Sequence, residues 1–145
     1  MTGRFLLTAA VAAALAYSAL PTSAVAQTRT LYERLGGYDA ILAVVDASIK
    51  NIAADRRINR FFAKANVARL RRQLADQICA ASGGPCIYTG RDMRSAHAGM
   101  GIKNSDFNAL VQDIGKALKA FKVPARERRE LVMLLAPARK DIVTR

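Results

Sequence analysis

The sequence predicts an all-α fold, and three observations carry that prediction. Apolar residues recur at three- and four-residue spacing through several long stretches. No stretch alternates polar and apolar residues for long enough to make a strand. The helical stretches are opened by capping side chains or closed by glycine and proline. There is no internal repeat and no low-complexity tract.

Thr30, with Glu33 three residues on, predicts a capped short helix over residues 31–35. Gly36-Gly37 ends it, because glycine takes a left-handed conformation without steric penalty. Ile41, Val44, Val45, Ile49 and Ile52 then share one face of a helix over about 38–53. A polar corner at 55–57 leads to Phe61-Phe62. Adjacent aromatics cannot share a helix face, so either one serves the core while the other covers something flat, or both sit partly in the core. Asn66 caps a third helix with Val67, Leu70, Leu74, Ile78 and Ala81 on one face, and Gly83-Gly84-Pro85 ends it. Further on, Asn104 or Ser105 caps a fourth helix striped by Phe107, Leu110, Val111, Ile114, Leu118 and Phe121. Val123-Pro124 breaks that helix, and Pro124 suits the first turn of a fifth. Its apolar side is Leu131, Val132, Leu134, Leu135 and Ala138, and Pro137 should kink or shorten it.

Residues 1–26 read as a signal peptide. One charge at Arg4 precedes a mainly apolar run over 5–20, Pro21 breaks it, and Ala24 and Ala26 stand three and one before the expected cut. The run of 16 residues falls short of the ~20 that span a bilayer as a helix, so an uncleaved anchor is the alternative reading. No cysteine precedes Cys79, which excludes a lipoprotein anchor at this cut. Residues 27–145 then form one modest domain, exported to the periplasm or secreted and without stable membrane insertion. Net charge falls from +12 to +11 when Arg4 is removed. The basic residues are scattered and no nucleic-acid motif accompanies them, so solvated helix faces account for the charge.

Cys79 and Cys86 lie seven residues apart. On one continuous helix their Cα atoms would be ~10.5 Å apart, beyond the ~7 Å limit for a bridge. Gly83-Gly84-Pro85 can fold the chain back between them, and export favours an intramolecular disulfide over two free thiols. No other cysteine and no second histidine completes a zinc set, and no Cys-x-x-Cys-His motif attaches a haem covalently.

His97 is the only histidine. It sits in a glycine-punctuated segment, residues 88–102, between two long amphipathic patterns, where one imidazole can be pushed into a cleft. Alone, such a histidine is more often a hydrogen-bonded core or surface residue than a ligand.

The ordered set of motifs changes that balance. Leu31-Tyr32-Glu33-Arg34-Leu35-Gly36-Gly37, then Arg57-Ile58-Asn59-Arg60-Phe61-Phe62, Gly83-Gly84-Pro85, Tyr88-Thr89-Gly90 and the run from Met93 through His97 to Ile102 resemble the group 1 truncated haemoglobins. The likeness covers 31–143. It implies a two-over-two helical sandwich, a non-covalent haem b, and His97 as the metal ligand on iron. It implies Phe62 against the porphyrin, with Tyr88, Arg94 and one or more of Arg71, Arg72 and Gln73 reaching the haem carboxylates. The family's best-studied members hold dioxygen with a tyrosine on the second helix and a glutamine on the third. Here Ile49 stands at the tyrosine's place, and Leu70 and Leu74 take the distal positions on the third helix. Gln73 and Gln77 lie on neighbouring faces. An apolar pocket and an open, five-coordinate ferrous site are therefore expected, since no second histidine exists to close it.

The implied function is reversible binding of dioxygen, nitric oxide or carbon monoxide in a carrier-type role. The alternatives are a haem enzyme, as a nitric oxide dioxygenase or with peroxidase-like activity, and a haem-free basic module for anionic surfaces.

Overall fold

The structure, a computed structural model, describes residues 29–144. The expected signal peptide lies outside the described residues. Every regular element among them is helical. These are α1 (Leu31–Arg34), α2 (Gly37–Ala54), a 3₁₀ turn (Asn59–Phe62), α3 (Val67–Ala81), α4 (Met93–His97), α5 (Asn104–Ala120), α6 (Ala125–Leu135), a second 3₁₀ turn (Ala136–Ala138) and α7 (Arg139–Ile142). None of these helices is long and apolar enough to cross a membrane.

The architecture is the expected two-over-two sandwich. α2 is its spine and packs on α3 along one side and on α5 along the other, while α6 lies against α5. The main core gathers Ile41, Val44 and Val45 from α2, Ala75, Ile78 and Cys79 from α3, and Ala117 and Leu118 from α5, closed by Leu131 of α6. Side chains also lash α2 to α3. The Tyr38 hydroxyl donates to Asp76 at 2.8 Å, and Arg71 grips Asp46 with Nε and a terminal nitrogen at 2.5 and 2.9 Å. That grip holds the Asp46 carboxyl below its usual range, and the bond to the Asp76 carboxylate pushes the Tyr38 phenol up.

α1 carries the predicted capping box, with Thr30 and Glu33 exchanging bonds of 2.9 and 3.2 Å. It is docked onto the body. Tyr32 N–H donates to the Ser82 carbonyl at 2.9 Å, and Arg34 reaches Glu127 at 3.1 Å and also Glu130 on α6. Gly36 and Gly37 turn the corner at φ +96° and +82°.

Three expectations need correcting. Asn104 is the first residue of α5 rather than its cap, because its side-chain oxygen accepts from Arg139 at 2.9 Å. Asp106 closes the helix start instead, accepting from Lys103 N–H at 3.0 Å. On α6 the buried stripe narrows: Leu131 is buried while Leu134 is 45% exposed. Pro137 does stop the helix, but into a 3₁₀ turn that re-aims the chain as α7. On α3, Val67 and Ala81 are exposed, and the face turned to the core is Ala75, Ile78 and Cys79.

Candidate functional site

The motifs point to two parts of the molecule, a cavity and, outside its lining, the segment that carries His97. The cavity is walled by the first half of α3 with the end of α2 and the 3₁₀ turn between them. Asn66 caps α3 as predicted, its side-chain oxygen accepting from Arg69 N–H at 2.9 Å. Behind this cap a cavity of about 380 Å³ opens, lined among others by Ile49, Phe62, Val67 and Leu70. Ile49, Phe62 and Leu70 thus meet where the sequence places them. Leu74 does not, because it packs on the main core one turn further along α3 and does not line the cavity. Phe61 and Phe62 are both half-buried and both pack on one core cluster, the second of the two readings; Phe61 also reaches a further cluster, and Phe62 also lines the cavity. The wall is not purely apolar, since Asn59 and Arg60 belong to it.

The other part is α4, reached through a short connector. Cys79 and Cys86 are bridged, with Cα atoms 5.8 Å apart, so the chain doubles back as Gly83-Gly84-Pro85 permits. Gly84 is pressed under Tyr32 and Cys79: a Cβ there would fall 2.5 Å from the ring and 2.6 Å from the sulfur. Asp92 then caps α4, accepting from Ser95 N–H at 2.9 Å, and hydrogen bonding from the Ser95 side chain and then its backbone keeps the carboxyl below the usual range. Gln77 of α3 donates to the Met93 sulfur at 3.6 Å and ties the two helices together.

His97 ends α4, half-buried. Its Nδ1 lies 2.8 Å from the Met93 carbonyl, one helical turn back. A carbonyl only accepts, so Nδ1 must carry the proton. In the neutral ring that leaves the lone pair on Nε2, which has no partner among the described residues. This is the tautomer a metal ligand requires.

The remaining candidates are elsewhere. Arg94 is paired with Asp141 at 3.0 Å, and the Tyr88 hydroxyl donates to the Arg91 carbonyl at 2.8 Å. Neither lines the cavity. Burial pushes the Tyr88 phenol up. Arg71 is committed to Asp46, and Arg72 is exposed. Asn59 and Arg60 were missed as site residues although they stand in the motif that held the two phenylalanines.

A model of the Bacterial-like globin family matches residues 30–144. A group 1 truncated haemoglobin from Tetrahymena pyriformis is 32% identical over 115 residues, 79% of this chain and 95% of its own. Another from Mycolicibacterium paratuberculosis is 33% identical over 119 residues, 82% of this chain and 88% of its own. The chain belongs to the group 1 truncated haemoglobins. The Fe(III) crystal structure of the Tetrahymena pyriformis protein superimposes on this globin with a TM-score of 0.78 at 32% identity, covering 81% of this chain and 100% of that one. A Synechococcus 2/2 haemoglobin, solved in the cyanomet state with covalently attached haem, gives 0.75 at 29% identity, covering 81% and 100%. Membership of this globin family brings a haem cofactor and haem-based gas binding.

Proposed function

We propose that this globin holds a haem b non-covalently, that His97 is its iron ligand, and that it binds diatomic gases reversibly in a carrier-type role. The observation that carries this reading is the His97–Met93 bond, which fixes the imidazole tautomer that leaves Nε2 free for iron, in a chain whose largely apolar cavity is lined by Ile49, Phe62 and Leu70. When bound, the haem supplies the iron that coordinates the gas. Phe62 offers it a flat apolar face, and Leu70 and Ile49 keep water from the ligand side. Both cysteines are consumed in the disulfide and no second histidine exists, which favours non-covalent attachment and an open ligand position. Ile49 and Leu70 offer no hydrogen-bond donor to dioxygen. A bond to such a charged acceptor contributes roughly 1.5–3 kcal/mol, so dioxygen should leave ~10- to 100-fold faster than from a relative with a distal tyrosine.

The test is an absorption titration of the apoprotein with haemin, followed by reduction and addition of carbon monoxide, run beside His97→Ala. One-to-one uptake and a five-coordinate ferrous spectrum are expected for the natural chain. Uptake that is not stoichiometric, or equal uptake by His97→Ala, would refute the reading.

We also propose export after cleavage following Ala26, on the strength of residues 1–26 and the Cys79–Cys86 bridge. Amino-terminal sequencing of the protein recovered from the periplasm or medium checks this, with a start at Gln27 expected.

A further inference from the structure

Among the described residues Arg60 is the only charged one lining the cavity, and little of its bonding capacity is used. One terminal nitrogen donates to the Arg57 carbonyl at 2.7 Å. The other stands 3.5 Å from Asp106, well outside the 2.7–2.9 Å of a charge-assisted bond. The other oxygen of that carboxylate accepts from Lys103 N–H at 3.0 Å. The guanidinium also lies over the Phe61 ring, 4.3 Å from its centroid, so an aromatic face steadies it beside this long ion pair. Its side chain is 59% exposed. Other arginines of the body are spoken for: Arg57 by Asp55, Arg71 by Asp46, and Arg34 by Glu127 and Glu130. Beside Arg60 the Asn59 amide adds a second polar group to an otherwise apolar wall.

We infer that Arg60 makes this site an anion receptor: small monovalent anions of the nitrite and azide class pass it on the way in and are retained by it. The inference rests on the haem reading above and names a ligand class for the same site. An anion entering an apolar slot loses hydration that must be replaced, and the guanidinium with its free N–H groups replaces it. The surplus of positive charge over the chain raises the local anion concentration and speeds encounter. A neutral gas responds to neither effect. The signature is therefore a split between anionic and neutral ligands at one iron.

The experiment uses the haem-loaded protein. Azide and nitrite are titrated into the ferric form, and carbon monoxide association is timed on the ferrous form, for the natural chain, Arg60→Gln, Arg60→Lys and Arg69→Gln. Arg69→Gln removes an exposed charge of α3 outside the cavity and controls for net charge. Arg60→Gln should weaken azide and nitrite binding about tenfold or more while carbon monoxide association stays within about twofold. Arg60→Lys should recover part of the loss, and Arg69→Gln should show none. Equal azide affinity in Arg60→Gln and the natural chain overturns the inference. So does a parallel fall for azide and carbon monoxide, which marks distortion. So does a change confined to the rate of haem loss, which means that Arg60 holds a haem carboxylate. Failure of the natural chain to take up haem at all sinks the underlying reading, and this inference with it.

Discussion

The two parts of the site are built by opposite means. α3 runs for 15 residues and roots Ala75, Ile78 and Cys79 in the main core. α4 has five residues, none of them buried. The cavity contributes shape and, apart from the Asn59 and Arg60 rim, little chemistry. The short helix carries the one imidazole, yet it depends on neighbours: the Asp92 cap, the Gln77–Met93 contact, the Arg94–Asp141 pair and the bridged connector before it. A helix of five residues is not stable in isolation. A cofactor that binds only the ordered form of such a segment stabilises that form by mass action. Haem retention and order in α4 should therefore rise and fall together, while α3 stays as it is in the apoprotein.

The sharpest way to break this contrast is His97→Ala. Haem retention should fall by well over an order of magnitude, read by transfer to an acceptor apoglobin, while urea unfolding of the apoprotein barely moves. Loss of apoprotein stability would mean that His97 is a structural residue after all. Next comes the connector. Cys79→Ser with Cys86→Ser should lower unfolding free energy by ~2.5 kcal/mol, the chain-entropy value for so short a loop. It should also quicken haem loss, and a stability change without that effect would uncouple the connector from α4.

At the cavity the expected effect is on the ligand rather than on haem. Ile49→Tyr should slow dioxygen release ~10- to 100-fold, measured by stopped-flow displacement with carbon monoxide, with haem retention unchanged.

The smallest effect concerns pH. Asp92 and Asp46 have carboxyls held below their usual range, by the Ser95 bonds and the Arg71 grip respectively. A lowered folded value means that the stabilisation is fully present above the unfolded value near pH ~4 and is lost as pH falls through the folded one. Removing the Asp46 carboxylate should blunt acid unfolding of the whole body. Asp92→Asn should act on α4 alone, seen as faster amide exchange over residues 93–97 above pH ~4 and convergence with the natural chain below it.

Much of this was legible in the residues because it rests on local physics. Helical spacing, the Thr30 and Asn66 caps and the Pro137 stop each depend on groups within four residues of one another. What was not legible depends on where helices cross. Leu70 and Leu74 share one stripe, and only the crossing of α3 over α2 sends the first to the cavity and the second to the core. Asn104 is a good cap on paper, but Arg139 takes its oxygen from 35 residues away. Asp113 is fully buried in α5, which helical spacing does not mark for a charged residue, with one oxygen on Lys116 at 2.9 Å and the other without a partner among the described residues. Arg60 stands in the motif with the two phenylalanines, and only the cavity shows what it borders.

The crowding at Gly84 has a consequence for assembly. Tyr32 of the leading helix and Cys79 of the third both rest against a backbone with no space for even a methyl group. Two stretches far apart along the chain, the first helix and the bridged turn after the third, are thus keyed to a hollow rather than to an attraction. Any transplanted linker must reproduce that emptiness, however well it matches the length or the sulfur bridge.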